Sequence, residues 1–472
     1  MKSIAKMILV FLGVVAVAHG NASGQSKAID SYVREWMTRR HIPGVSLVVI
    51  KNNRIVKFSS YGLANVELRV PVNEKTSFEI ASMTKQFTAA AVLLLAEDGK
   101  LSLDDRITKY FDDLPSSWSD IRVRQLMDHT SGLGDDWDEN NNFFLTKNSN
   151  EEFLNALKTV PLKFRTGERY GYSCGPFVAG MIIEKISGKP YAQFMEERIF
   201  RPLGMTSTHV NDPSKIVRHR ASGYIYRNGK LINGVRISAA AHARADVGIR
   251  TTALDLAKWD AAMNDTRLLS RSSLNSMFSR ARVNDGSMTL SGLGWWLNPV
   301  RGRAAATHGG AFRTGFNSTI NRYLDDKLTV IVLANVFRAG ANDAGHIIAG
   351  FYDTAFHPIA SMVRKPDPVP ERTAELRNLL KQLSEGAVDL KPLSKSFPYH
   401  AYEPGDWEQL TDGMRSISFV RCEPVPRQIF RTFSVPVSEI CFYKIGTNAE
   451  DRYFSVSLEV DGKITYIEPY EY

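Results

Sequence analysis

Apolar positions along the chain alternate between two periods. Residues 26–40 recur at helical spacing and are expected to open the folded region. Residues 44–51 (GVSLVVIK) are apolar and β-branched almost throughout, the pattern of a buried strand. Asn52-Asn53 turns the chain, and residues 54–60 return as a second strand, giving an antiparallel hairpin with no crossover helix. Residues 82–99 read as a helix: Phe87, Ala91, Leu94 and Leu95 share one face, and Gly99 supplies a stop.

The stretch 100–270 reads as mostly helical with polar loops. Helices are expected at 151–159 and 177–187, after a long Asp- and Asn-rich loop over 135–150. Strand character returns at 304–308, 315–321 and 328–333, and 341–353 closes as a helix. Strands from the two ends would then share one antiparallel sheet flanked by helices. The helical middle would form a second lobe, with a cleft between the lobes as the natural place for a site. Lys365 to Pro370 (KPDPVP) carries three prolines in six residues and is read as a linker. Beyond it come a helix over 371–383 and strands at 415–420, 429–435, 440–445, 453–460 and 464–467, with Asp461-Gly462 as a hairpin turn. The expected class is α+β throughout: a main domain over 25–364, the linker 365–370, and a small α+β accessory domain over 371–472, with no internal repeat.

Length and composition agree with that plan. A chain of 472 residues suggests two or three domains, and 43% hydrophobic with 23% charged residues is an ordinary globular balance. The first 24 residues read as a signal peptide. Lys2 and Lys6 precede an apolar run over 7–18, and Ala18, Gly20, Ala22 and Gly24 offer cleavage sites. That run is shorter than the roughly 20 residues a bilayer span needs. Export to the periplasm or the medium is therefore expected, with no stable membrane span after cleavage. The formal charge is +9, or +7 without Lys2 and Lys6, and no dense Lys/Arg run marks a nucleic-acid partner. Of three cysteines, Cys422 and Cys441 lie close together in strand-like segments and are expected to pair, leaving Cys174 over. No Cys/His cluster has zinc spacing, so no metal and no cofactor are expected.

Ser82-Met83-Thr84-Lys85 opens a helix, where a spacing of three puts serine and lysine on one face. The helix N-terminus adds free N–H groups and positive potential. A serine hydroxyl becomes a good nucleophile once a neighbouring base takes its proton, and a desolvated lysine can do so. The spacing alone is weak, since Ser3-Ile4-Ala5-Lys6 repeats it within the leader. Two further elements add context. Tyr172-Ser173-Cys174 follows a turn and offers a phenol for proton transfer. His308-Gly309-Gly310 ends a strand-like segment whose glycines allow close backbone approach, and whose N–H groups could face an oxyanion.

Taken in this order, the three elements resemble the serine β-lactamase and penicillin-binding-protein superfamily, with its carboxypeptidase and esterase relatives. The surrounding segments are similar too: Ile42-Pro43-Gly44-Val45, Tyr61-Gly62-Leu63-Ala64, His129-Thr130-Ser131-Gly132-Leu133, Pro202-Leu203-Gly204-Met205-Thr206 and Gly292-Leu293-Gly294-Trp295. The similarity covers about residues 28–355. It implies Ser82 as the acylated serine, Lys85 as its partner and Tyr172 as the tyrosine base. It implies the N–H groups of Ser82 and Ala311 as the oxyanion hole. His308, Gly309 and Gly310 would contact substrate, with histidine standing where β-lactamases usually carry lysine. His129 to Leu133 would shape a loop near the cleft. Cys174 stands where the family usually has asparagine, and a thiol is a weak donor and a poor acceptor.

The function expected is a serine hydrolase that forms an acyl-enzyme with a small-molecule or peptide substrate, an amide or ester, with D-amino-acid peptides among the candidates. The alternative is a pseudoenzyme that binds a cell-wall peptide or a protein partner without turnover. The oligomeric state is not legible in the sequence.

Overall fold

The computed structural model describes residues 24–134, 143–147, 149–286, 288–297, 300, 303–353, 356, 362–386, 389, 391–394, 397, 407, 411–424, 437–447 and 451–470. The leader expected over residues 1–24 falls almost wholly outside them, as does the strand expected at 429–435.

Helix α1 (24–39) leads into strands β1 (Gly44–Lys51), β2 (Arg54–Asn65), β3 (Val70–Pro71) and β4 (Phe78–Glu79). Then come α2 (Thr84–Glu97), α3 (Val123–Met127), α4 (Phe143–Thr146), α5 (Asn150–Lys158), α6 (Gly175–Ser187) and α7 (Tyr191–Met195). Short elements follow: β5 (His209–Val210), β6 (Tyr224–Arg227), β7 (Lys230–Asn233), α8 (Ala239–His242), β8 (Ile249–Thr251), α9 (Ala253–Ala262) and α10 (Arg271–Met277). Strands β9 (Ala305–Phe312), β10 (Phe316–Tyr323) and β11 (Leu328–Ala334) precede α11 (Ala341–Gly350). The last group is α12 (Pro370–Glu385), β12 (Ser416–Pro424), β13 (Val437–Gly446), β14 (Asp451–Glu459) and β15 (Ile464–Tyr470).

The main sheet runs β3-β2-β1-β11-β10-β9 and is antiparallel at every pairing, with Val45 opposite Ala334 and Ile320 opposite His308. Successive side chains on a strand face opposite sides. Val45, Leu47 and Val49 accordingly meet Ile29, Val33 and Trp36 of α1 and Ile348 of α11, while Val48 and Ile50 join the larger cluster that contains α2. Strand β11 splits the same way, with Val330 and Val332 on one side and Ile331 and Leu333 on the other. Fully burying such a side chain contributes about 1.5–3 kcal/mol, so a one-residue slip in either strand would be costly. Residues 84–95 of α2 are buried on every face, which makes α2 the central helix of the fold.

A separate cluster occupies the C-terminal residues. Leu376, Leu379, Leu380 and Leu383 present one stripe of α12 to Cys441, Tyr443, Phe454, Val456 and Ile467 of the four-stranded sheet β12-β13-β14-β15. Cys422 and Cys441 face each other across β12 and β13 and are joined in a disulfide.

The structure amends the sequence reading in three places. Helix α12 begins at Pro370, inside the stretch read as linker, because proline at the first helical turn needs no N–H and has its φ already set. The loop expected over 135–150 contains the short helix α4. The segment read as mostly helical also holds β5 and β8, which join β4 from before it in a three-stranded sheet of order β4-β8-β5. These strands have only two or three residues each, too few to show a period.

Candidate active site

The backbone leading to Ser82 is held by buried polar bonds. The Ile80 N–H donates to the Ile249 carbonyl at 3.0 Å. One residue earlier, the Glu79 carboxylate accepts from Arg250 Nη2 at 2.9 Å and from Thr314 Oγ1 at 2.6 Å. Arg250 also donates to the Ser77 carbonyl and to Asn211. Ala81 then adopts φ 46° while buried, a left-handed conformation that costs a non-glycine residue about 1–3 kcal/mol. The turn throws Ser82 to the start of α2, half-exposed, in a short 3₁₀ segment (Ala81–Met83) that runs directly into the helix.

Lys85, one turn on, is 1% exposed. Its Nζ donates to Ser82 Oγ at 3.2 Å and to the Asp246 backbone carbonyl at 3.0 Å. The Asp246 carboxylate turns the other way, onto Arg244, accepting from Nε at 3.0 Å and Nη2 at 3.1 Å. That guanidinium lies over the rings of Phe144, Phe153 and Phe177, 4.5–5.0 Å from their centroids. Burial alone would push the Asp246 carboxyl up, but Arg244 and then Lys85 outweigh it and hold it below the usual carboxylate range.

Tyr172 presents its ring to Lys85, with Nζ 5.0 Å from the centroid. Among the described residues no hydrogen bond ties the Tyr172 hydroxyl to Ser82 or Lys85. The ring packs against His129 at 4.6 Å and Trp296 at 6.2 Å. His129 is buried at φ 62°, and its Nδ1 accepts from the Ser173 N–H at 3.2 Å, which places the proton of the neutral ring on Nε2. Burial, then the charge on Lys85, keeps its pKa well below the ordinary histidine value. The segment around His129 thus shapes the cleft by packing.

Strand β9 forms the opposite wall and is an edge strand, with β10 on one side. Gly310 is required there: a Cβ would overlap the Ile80 carbonyl oxygen and come within 2.8 Å of Ser318 Oγ. Ser318 Oγ itself donates to that same carbonyl at 2.9 Å. Trp296 pairs with Thr307 on the outer edge of β9, exchanging bonds of 2.9 and 2.8 Å. Outward-facing backbone groups alternate along a strand, so the amides of Gly309 and Ala311 point the same way as that of Thr307. Ala311 is exposed. His308 is 1% exposed, stacks on Trp296 with centroids 4.6 Å apart, and has Nδ1 2.6 Å from the Gly309 carbonyl. A carbonyl can only accept, so Nδ1 carries the proton. Burial, then Lys85, pushes the His308 pKa down to about 3 against the opposing Gly309 bond. The ring is neutral at pH 7.

Cys174 is buried at the N-cap of α6, and its thiol donates to the Gly134 carbonyl at 3.3 Å. The Gly292-Leu293-Gly294-Trp295 segment braces α2 from behind. Gly294 has φ 71°, its N–H donates to the Met127 carbonyl, and a Cβ there would lie 2.7 Å from the Lys85 carbonyl oxygen.

Sequence reasoning missed Arg244, Asp246, Tyr170 and Trp296. Asp246 acts through its backbone, which no side-chain pattern reports. The charged Arg244-Ala245-Asp246 triplet inside an otherwise small and apolar stretch was the available signal.

A cavity of about 730 Å³ opens elsewhere, along the loop that leads to Tyr172, lined by Lys163, Phe164, Arg165, Arg169 and Asn284 among others, and Ser82 is not among its walls. Cys422, Glu439 and Cys441 cluster closely enough to hold a metal, but both sulfurs are consumed in the disulfide and the set does not fit one. Among the described residues no helix is long and apolar enough to cross a membrane.

The antiparallel sheet and its flanking helices are those of the serine β-lactamase and penicillin-binding-protein superfamily. The sequence profile described as Beta-lactamase matches residues 29–351, and the chain belongs to that family. It is 28% identical over 407 residues to Penicillin-binding protein 4* of Bacillus subtilis, covering 80% of this chain and 83% of that one. It is 29% identical over 201 residues to Protein flp of Staphylococcus aureus, covering 42% of this chain and 40% of that one. Among solved structures, the octameric penicillin-binding protein homologue from Pyrococcus abyssi superposes with a TM-score of 0.62 at 22% identity, over 92% of this chain and 96% of that one. A penicillin-binding protein from Bacillus halodurans gives 0.57 at 25% identity, over 65% and 95%. These matches establish the fold and the family, and they imply serine hydrolase chemistry in general.

Proposed function

We propose that the chain hydrolyses a small amide or ester through an acyl-enzyme on Ser82, with D-amino-acid peptides among the substrates. The observation that carries this reading is the contact between Lys85 Nζ and Ser82 Oγ at 3.2 Å, in a site where Asp246 holds the lysine from behind. In the first step Ser82 Oγ attacks the carbonyl, and Lys85 and Tyr172 together carry the serine proton to the leaving group. The N–H groups of Ser82 and Ala311 receive the oxyanion, each such donor contributing about 2.7–4 kcal/mol. Water then attacks the ester and frees the acid.

Cys174 in place of the usual asparagine removes an amide from the substrate's path and disfavours β-lactams. The basic, apolar leader supports a periplasmic or secreted location, which N-terminal sequencing of the mature chain would check. A fluorophosphonate probe tests the chemistry: a covalent mass gain absent from Ser82→Ala supports the hydrolase. No labelling, with simple esters also untouched, leaves the binding-only alternative.

A further inference from the structure

We propose that Trp296 is the specificity-determining residue of this site: with Tyr170 and His308 it forms a wall that takes a flat apolar group of an uncharged ester or amide and rejects a carboxylate, which narrows the D-amino-acid substrates to those whose free carboxylate does not meet this wall. The inference rests on the acyl-transfer reading above and goes on to name the substrate class.

Three observations carry it. Trp296 is half-exposed, and its backbone is fixed to Thr307 by two hydrogen bonds, so its ring is held at the mouth of the site. Its indole N–H donates to the Tyr170 hydroxyl at 3.3 Å, which occupies its one polar group and leaves carbon surface to face a ligand. The ring lies parallel to His308, at 8°, and the His308 N–H is committed to the Gly309 carbonyl. Tyr172 and His129 continue the aromatic surface toward Lys85. Both histidines are neutral at pH 7 for the reasons given above, and Lys85 is engaged by Ser82 and Asp246. A carboxylate laid on this wall would lose its hydration without gaining a counter-charge. Arg313, exposed on the turn two residues beyond Ala311, is the rival carboxylate partner.

The test uses the full chain and matched esters. Phenyl acetate and ethyl phenylacetate place the ring on the leaving-group and acyl sides. Each is compared with its 4-carboxylated counterpart, and ethyl acetate serves as the small reference. One or both neutral ring esters should exceed the carboxylated counterpart in kcat/KM by about 10-fold, the scale of one apolar pocket contact. Trp296→Ala should lower kcat/KM for that neutral ring ester about 10-fold more than for ethyl acetate, while Trp296→Phe keeps the preference. Should Trp296→Ala unfold, Trp296→Leu takes its place, with circular dichroism as the check. A uniform loss on all esters overturns the inference. So does a preference for the carboxylated esters that disappears in Arg313→Ala. If Ser82 takes no probe and no ester turns over, the hydrolase reading falls and this inference with it. If Ser82 labels and esters turn over but the Trp296 variants do not discriminate, only the inference falls.

Discussion

Asp246 holds Lys85 through its backbone carbonyl at 3.0 Å, while its carboxylate is turned away and locked onto Arg244. The lysine therefore keeps a neutral acceptor as its second partner, with a compensated charge one step further off. An arrangement with the carboxylate in direct contact would favour the ammonium form and work against proton uptake from Ser82.

Removing Arg244 should be costly in a specific way. Arg244→Met would leave the Asp246 carboxylate buried and unpaired, and a broken buried pair costs about 3–5 kcal/mol. The double variant Arg244→Met/Asp246→Asn should recover part of that loss. Chemical denaturation of the two variants and the parent checks both statements.

Gly294 is predicted to be intolerant of a side chain. At φ 71°, with a Cβ 2.7 Å from the Lys85 carbonyl, Gly294→Ala would strain its own backbone and push on α2. A loss of about 1–3 kcal/mol in stability is expected, with a fall in kcat larger than any rise in KM, because α2 carries Lys85 and follows directly on the turn that holds Ser82. Thermal melts and steady-state ester kinetics read the two effects separately.

Acid should destabilise the fold well above the carboxylate range. Burial, the largest cause in each case, lowers His308 to about 3, His209 to about 4, and His129 by an amount large enough to keep it neutral. Unfolded histidine titrates near 6.5, so between those values the unfolded chain binds more protons. The contribution of these groups is complete above about pH 6.5 and is lost as pH falls toward the folded values. Asp128, pushed up to about 6 by burial, works in the opposite sense, its contribution disappearing as pH rises through 6. His242 is lowered by burial as well and Asp326 raised by it, so four histidines stand against two aspartates and predict a Tm that falls from pH 7 to pH 5. His308→Gln should flatten that slope.

The disulfide should matter to the C-terminal residues far more than to the site. Cys422 and Cys441 close a loop with a sequence separation of 19, and a bridge over such a loop contributes about 3 kcal/mol. Cys422→Ser/Cys441→Ser is expected to expose α12 and β12–β15 to hydrogen exchange and to leave ester hydrolysis by Ser82 within about twofold, since the effect is confined to a separate cluster.

Much of this was legible in the sequence because it depends on period and spacing. The buried strands 44–51 and 328–333, the helix carrying Ser82 and Lys85, and the order of the three chemical elements follow from runs long enough to show a period. What escaped depends on backbone geometry or very short elements. Strands β4 and β8 aim Ser82 but have two and three residues. Asp246 contributes a carbonyl, and Trp296 is placed by a two-bond bridge to Thr307 across the edge of β9. The Gly292–Trp295 segment stands out in the sequence as a similarity alone, and its physical reason is the approach of Gly294 to the Lys85 carbonyl.

The Ser82–Lys85 pair is tested most directly by the second-order rate at which a fluorophosphonate acylates the full chain, followed by intact mass and peptide mapping in the parent and in Lys85→Ala. The adduct should map to Ser82, and the rate should fall by about 10²- to 10⁴-fold in Lys85→Ala, the range of a lost general base. An unchanged rate in Lys85→Ala, or an adduct on any residue other than Ser82, would contradict it.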